Sequence, residues 1–115
     1  MDGECIFCKI VSGQASSKKI AETDTLFAFE DINPQAPTHV LIVPKKHIES
    51  NLQLTGEDRE MVGEAYLLAN EIARERGVDK TGFRIVNNTG RNGGQMVAHL
   101  HFHLLGGRPM NWPPG

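Results

Sequence analysis

With 115 residues, 39% of them apolar and 23% charged, the chain has room for one hydrophobic core and the composition of a globular domain. A formal net charge of −2 and no basic stretch beyond Lys45-Lys46 exclude a polyanion-binding surface, so nucleic acid is not an expected partner. No run reaches the ~20 apolar residues that span a bilayer, and Met1-Asp2-Gly3-Glu4 lacks the positive flank and apolar stretch of a signal peptide, so the expected setting is the cytoplasm, away from membranes.

Cys5-Ile6-Phe7-Cys8-Lys9-Ile10-Val11 comes first; apolar residues at 6, 7, 10 and 11 predict a short amphipathic helix ended by Gly13. Ser12 to Lys19 is polar and reads as a loop. Thr25 to Phe29 predicts a strand, and Asp31-Ile32-Asn33-Pro34 the turn after it. Pro34 and Pro37 cannot donate to a ladder, so the next strand starts near Thr38 and runs through His39-Val40-Leu41-Ile42-Val43 to Pro44. Thr55 then opens the one long helix, with Asp58 three residues on completing a capping-box pattern. Met61, Val62, Ala65, Leu68, Ala69 and Ile72 recur at helical spacing, and Gly77 stands at the expected C-terminal stop. Phe83-Arg84-Ile85-Val86 predicts a further strand. A glycine-rich loop from Asn87 to Gly94 leads into His99-Leu100-His101-Phe102-His103-Leu104-Leu105, which Gly106-Gly107 closes. The tail from Arg108 to Gly115 carries three prolines and is irregular. The pattern predicts a single α+β domain over residues 1–115. Its mostly antiparallel sheet has about five strands, the histidine strand in or near the middle, and the long helix covers that strand's apolar face.

The alternation of histidine with large apolar residues from 99 to 105 has the period of a strand. His99, His101 and His103 then share one face at spacings of roughly 6.6–6.8 Å, and Leu100, Phe102 and Leu104 share the buried one. Such a row admits three readings: surface histidines on a half-exposed strand, a metal site, or catalysis by imidazole itself. A catalytic zinc usually wants a third ligand and a carboxylate behind it, and between residues 80 and 115 there is no Asp or Glu. A neutral imidazole, dominant at pH 7 from a reference pKa of about 6.5, attacks phosphorus directly. Its neighbours then serve the phosphate oxygens and the leaving group. Gly93-Gly94-Gln95 just upstream offers backbone able to approach an anion.

Cys5-x-x-Cys8 reads as a redox pair, as half of a zinc site, or as two buried thiols. A thioredoxin-type dithiol follows a strand in a βαβ context, which is absent. Zinc needs four ligands, and with two cysteines the rest must be histidines.

The triad His99-Leu100-His101-Phe102-His103-Leu104-Leu105 resembles the signature of the histidine triad (HIT) superfamily. Asp31 to His39, Pro44 to Ile48 and the ending Leu105 to Gly115 are similar to its histidine triad nucleotide-binding (Hint) branch. The diadenosine-polyphosphate hydrolase branch continues differently after the triad. The resemblance implies an α+β HIT fold, a homodimer, and hydrolysis of nucleoside 5′-phosphoramidates of AMP or GMP type. On that pattern His101 is the nucleophile that becomes AMP-modified, His103 contacts the α-phosphate and His39 supports the triad by hydrogen bonding. Asp31 holds the ribose hydroxyls, Phe7, Phe29 and Ile32 wall the base, and Asn88, Gly94, Gln95, Met96 and Val97 surround the phosphate. Some bacterial members pair two such cysteines with two histidines, which implies a structural zinc on Cys5, Cys8, His47 and His99, and no catalytic metal. The proline-rich tail, with Trp112, is implied to lie near the partner subunit's site and shape the leaving-group pocket. Met96 departs from the serine that relatives commonly carry; a thioether cannot donate a hydrogen bond, so slower turnover or a changed leaving-group preference follows. Two alternatives stay open: hydrolysis of other nucleotide esters or anhydrides, and a nucleotide-binding or interaction module with vestigial activity.

Overall fold

The computed structural model describes residues 4–114. The elements run α1 (Ile6–Ser12), β1 (Lys19–Glu22), β2 (Leu26–Glu30), β3 (Thr38–Pro44), 3-10 turns at Asn51–Gln53 and Gly56–Asp58, α2 (Arg59–Arg76), β4 (Phe83–Val86) and β5 (Phe102–Gly106). The five strands form one sheet in the order β1-β2-β3-β5-β4, every neighbouring pair antiparallel. This is the expected α+β architecture.

β3 is the centre of the sheet, and all of its residues are buried. Its unbroken apolar run, unusual for an antiparallel strand, follows from cover on both faces. Val40 and Ile42 join Leu26, Ala28, Leu100, Phe102 and Leu104 beneath α2, which contributes Ala65, Leu68, Ala69 and Ile72. Leu41 and Val43 join Phe27 and Phe29 on the opposite face, where Phe7 of α1 seals them. Two apolar layers on one strand explain why period-two alternation is absent there. Among the described residues, no helix is long and apolar enough to cross a membrane.

Three expectations need correction. β1 falls partly in the stretch that reads as loop; its Lys-Ile-Ala-Glu sequence has no clear period, and it survives as a half-exposed edge paired to β2 through a bulge. The long helix begins at Arg59, because Thr55 caps a 3-10 turn instead. The capping box itself is present: the Thr55 N–H donates to Asp58 Oδ2 at 2.9 Å. The histidine strand begins only at Phe102, whose partner Ile42 is the last rung of the β3–β5 ladder. Upstream the backbone is committed elsewhere: Leu100 N–H donates to the Ile48 carbonyl, and the His101 carbonyl accepts from Asn87 Nδ2 at 3.1 Å. His99 and His101 therefore precede the ladder, and only His103 sits within it, opposite Leu41 and Val86.

Candidate functional site

A cavity of about 340 Å³ opens where α1, β2, β3 and the loop before β5 meet. Phe7 and Phe29 form its apolar wall, Asp31 and Asn88 line its polar side, Gly94, Met96 and Val97 come from the loop, and His101 and His103 close it. Ile32 and Met96 stand at the mouth, 98% and 91% exposed. Ile6, Ile10 and Leu41 complete the lining and were not singled out from sequence. Two signals pointed to them: Ile6 and Ile10 repeat at i, i+4 on the Phe7 helix, and Leu41 lies two residues from His39, on the same face of its strand.

Gln95 and His39 do not line this cavity. Gln95 braces the loop, accepting from the Gly90 N–H and donating to the carbonyls of Glu49 and Val97. The glycines make the turn possible: Gly94 has φ +79°, and a Cβ on Gly93 would collide with the Thr89 carbonyl. The turn consumes the N–H groups of Gly94 and Gln95, which donate to Arg91 and Gly90 carbonyls. The glycines thus shape the loop, and the N–H groups of Gly94 and Gln95 are engaged within it.

The histidines are locked by a chain of hydrogen bonds that assigns their tautomers. The Gln35 N–H donates to His39 Nδ1 at 3.0 Å, so that nitrogen is the acceptor and the proton of the neutral ring sits on Nε2. His39 Nε2–H then donates to His103 Nδ1 at 2.9 Å, which places the His103 proton on its own Nε2. His101 is set the other way. Its Nδ1–H donates to the His99 carbonyl at 2.7 Å, leaving the lone pair on Nε2. The two cavity-lining imidazoles thus differ: one holds a nucleophilic nitrogen and the other an N–H donor. Burial, with the neighbouring His101 and His39, pushes the His103 pKa down to about 4, and burial also lowers that of His39 against the pull of Asp31. Both are neutral near pH 7.

The stretch from 80 to 115 holds no acidic residue, and the turn after β2 supplies a carboxylate from elsewhere, bringing Asp31 Oδ2 to 3.3 Å from His39 Nε2. The Asn33 N–H holds the other oxygen at 2.8 Å. Asp31, His39 and His103 place donor atoms within 4.8 Å of one another. They do not fit a metal ion, because His39 Nδ1 already accepts from Gln35 and Nε2 carries the proton, so His39 has no lone pair to give.

The second cluster does fit. Cys5 Sγ lies 3.3 Å from His99 Nδ1, Cys8 Sγ 3.3 Å from His47 Nδ1 and 3.6 Å from His99 Nδ1, and the two Nδ1 atoms are 3.1 Å apart. Zinc with bonds of about 2.3 Å to sulfur and 2.0–2.1 Å to nitrogen sets tetrahedral ligand separations of ~3.3–3.8 Å. The observed spacings are close to that shell. His99 Nε2 donates to the Pro44 carbonyl at 2.9 Å, turning the Nδ1 lone pair toward the sulfurs, as an outer hydrogen bond does for a metal-bound imidazole. His99 is fully buried, so it belongs to this cluster and the cavity keeps only His101 and His103 of the row. Bound there, zinc would have four protein ligands and no open position.

The HIT domain family model matches residues 12–110. A 14 kDa zinc-binding protein of Zea mays is 44% identical over 116 aligned residues, covering 99% of this chain and 90% of that protein. A purine nucleoside phosphoramidase of Escherichia coli (strain K12) is 42% identical over 110 residues, 96% of this chain and 92% of its own. The crystal structure of a HIT family hydrolase from Legionella pneumophila Philadelphia 1 superposes with a TM-score of 0.95 at 45% identity, covering 97% of this chain and all of the other. Matched along most of its length in sequence and in backbone, the chain belongs to the HIT family.

Proposed function

We propose that this chain is a hydrolase of purine nucleoside 5′-phosphoramidates working through a covalent nucleotidyl-His101 intermediate. The observation that carries the reading is the opposed tautomers of the two cavity-lining imidazoles, His101 with its lone pair on Nε2 and His103 with its proton there. The likeness to a purine nucleoside phosphoramidase supports the substrate class.

In this mechanism the base lies between Phe7, Phe29 and Ile32, and Asp31 accepts from the ribose hydroxyls, a diol suited to two acceptor oxygens. His103 Nε2–H donates to a phosphate oxygen. His101 Nε2 attacks phosphorus, the P–N bond to the amine breaks, and the amine departs with a proton taken up from solvent. Water then attacks the phosphorus, the P–Nε2 bond breaks, one proton returns to solvent, and the nucleoside monophosphate leaves with His101 neutral again. The His99 carbonyl stabilises the cationic ring of the intermediate through Nδ1–H. Zinc on Cys5, Cys8, His47 and His99 would tie α1 to the segment after β3 and to the start of the histidine row, a structural role. The exposed Tyr66 and Leu67 on α2 supply an apolar face for a homodimer.

Mass spectrometry after acid quench with adenosine 5′-phosphoramidate tests the mechanism. The expected result is an AMP adduct on His101 accompanied by free amine, with both lost in His101→Ala. Unchanged amine release by His101→Ala would overturn the reading.

A further inference from the structure

One helical turn serves the Cys/His cluster and the nucleotide cavity together. Phe7 lies between Cys5 and Cys8, so the turn that carries both sulfurs also carries a cavity wall. The Phe7 ring meets His101 edge-on at 5.1 Å and His99 at 5.8 Å. His99 makes a second, independent link. Its Nδ1 faces the two sulfurs at 3.3 and 3.6 Å, while its main-chain carbonyl takes the His101 Nδ1 proton at 2.7 Å. Any displacement of the cluster therefore reaches His101 both at its ring face and at its proton.

We propose that metal occupancy of the cluster and nucleotide affinity of the cavity are energetically coupled, with Phe7 and His99 as the positioning residues that carry the coupling. The proposal rests on the nucleotide-binding reading above. Closing four ligands around a divalent cation fixes the α1 turn and the His99 main chain, and so fixes the ring that the nucleotide phosphate meets. A cluster acting only as a staple would hold the fold and leave nucleotide affinity unchanged. Coupling between two binding sites is reciprocal, so AMP must tighten metal binding by the factor by which metal tightens AMP.

The test measures Zn²⁺ affinity by chelator competition with and without saturating AMP, and AMP affinity by calorimetry on zinc-loaded and zinc-stripped protein, with circular dichroism reporting the fold. The expected factor is about 5-fold or more, equal in both directions. Phe7→Leu keeps all four ligands; it should leave zinc affinity without AMP unchanged while moving the factor toward one. If stripping unfolds the protein, the comparison of wild type with Phe7→Leu in the zinc titrations decides, and an undiminished factor in the variant overturns the proposal. For folded stripped protein, the ¹⁵N spectrum of the His101 ring should turn from one Nδ1–H tautomer to a mixture. Equal AMP affinity with and without zinc overturns the coupling and leaves the nucleotide reading standing, whereas absence of AMP binding in both states overturns that reading itself.

Discussion

The two ends of the histidine row use the same side chain in opposite ways. At the His103 end, two imidazoles are linked nitrogen to nitrogen, the Gln35 N–H donating to His39 and His39 to His103, so that the chain ends in an N–H donor. At the His99 end, the ring gives its proton to a backbone carbonyl and turns a lone pair on two thiols. The difference lies in which backbone group reaches each ring first, an N–H from Gln35 or a C=O from Pro44. A backbone donor makes a relay, and a backbone acceptor makes a ligand.

The largest effect expected from breaking this contrast is at the ligand end. Cys8→Ser removes one thiolate and should abolish tight zinc binding by elemental analysis. Since a structural site contributes its binding energy to folding, the melting temperature should drop by about 10 °C or more. A variant that binds no zinc yet melts as the wild type does would show that the metal contributes nothing to the stability of the fold.

At the relay end, acid is the probe. His103 has a folded pKa of about 4 against an ordinary value near 6.5. Above pH 6.5 neither folded nor unfolded chain holds this proton and stability is level. As pH falls below 6.5 the unfolded chain takes it up first, so stability declines until pH about 4, by about 1–2 kcal/mol for this partly solvated group. Denaturant melts of wild type and His103→Gln between pH 7 and 4 isolate it, since losses from the cluster are common to both. Parallel curves would mean that His103 is not held neutral by its surroundings.

How much of this contrast is legible in the residues alone depends on the chemistry involved. The alternation from His99 to Leu105 pointed to an anchored histidine row and to its buried partners Leu100, Phe102 and Leu104, because side-chain period is a local property. The ladder boundary at Phe102 was not legible, since it depends on Asn87 and Ile48 capturing backbone groups from far along the chain. Asp31 and His39 could be named by resemblance, but their approach to His103 depends on the β3–β5 pairing. The tautomers were invisible for a further reason: they are fixed by the backbone of Gln35 and His99, and a backbone amide looks the same at every position. Gln95 was legible as part of the loop but not as its brace. Its side chain reaches Glu49, a contact between distant segments.

Removing the middle of the relay is a smaller, purely kinetic perturbation. His39→Gln keeps a polar side chain but loses the ring that takes the Gln35 proton contact and orients His103. The expected outcome is a fall of about 100-fold in kcat with little change in KM, because a misoriented donor weakens the transition state more than the bound substrate. A matching rise in KM would instead assign His39 to ground-state binding.

The smallest effect concerns the cavity mouth, where neither end of the row reaches. Met96 is exposed there, and its thioether has no hydrogen bond to donate to the leaving amine of the proposed reaction. Met96→Ser places a hydroxyl donor on the opposite side. If the relay limits turnover through leaving-group departure, kcat for a poor amine leaving group should rise by about tenfold, and that for a good one should barely move. The slope of log kcat against amine basicity, compared between the two proteins, reads this directly. An equal slope would place the slow step after the P–N bond has broken, at attack of water on the nucleotidyl-His101, where the amine no longer takes part and the residue at the mouth has nothing to stabilise.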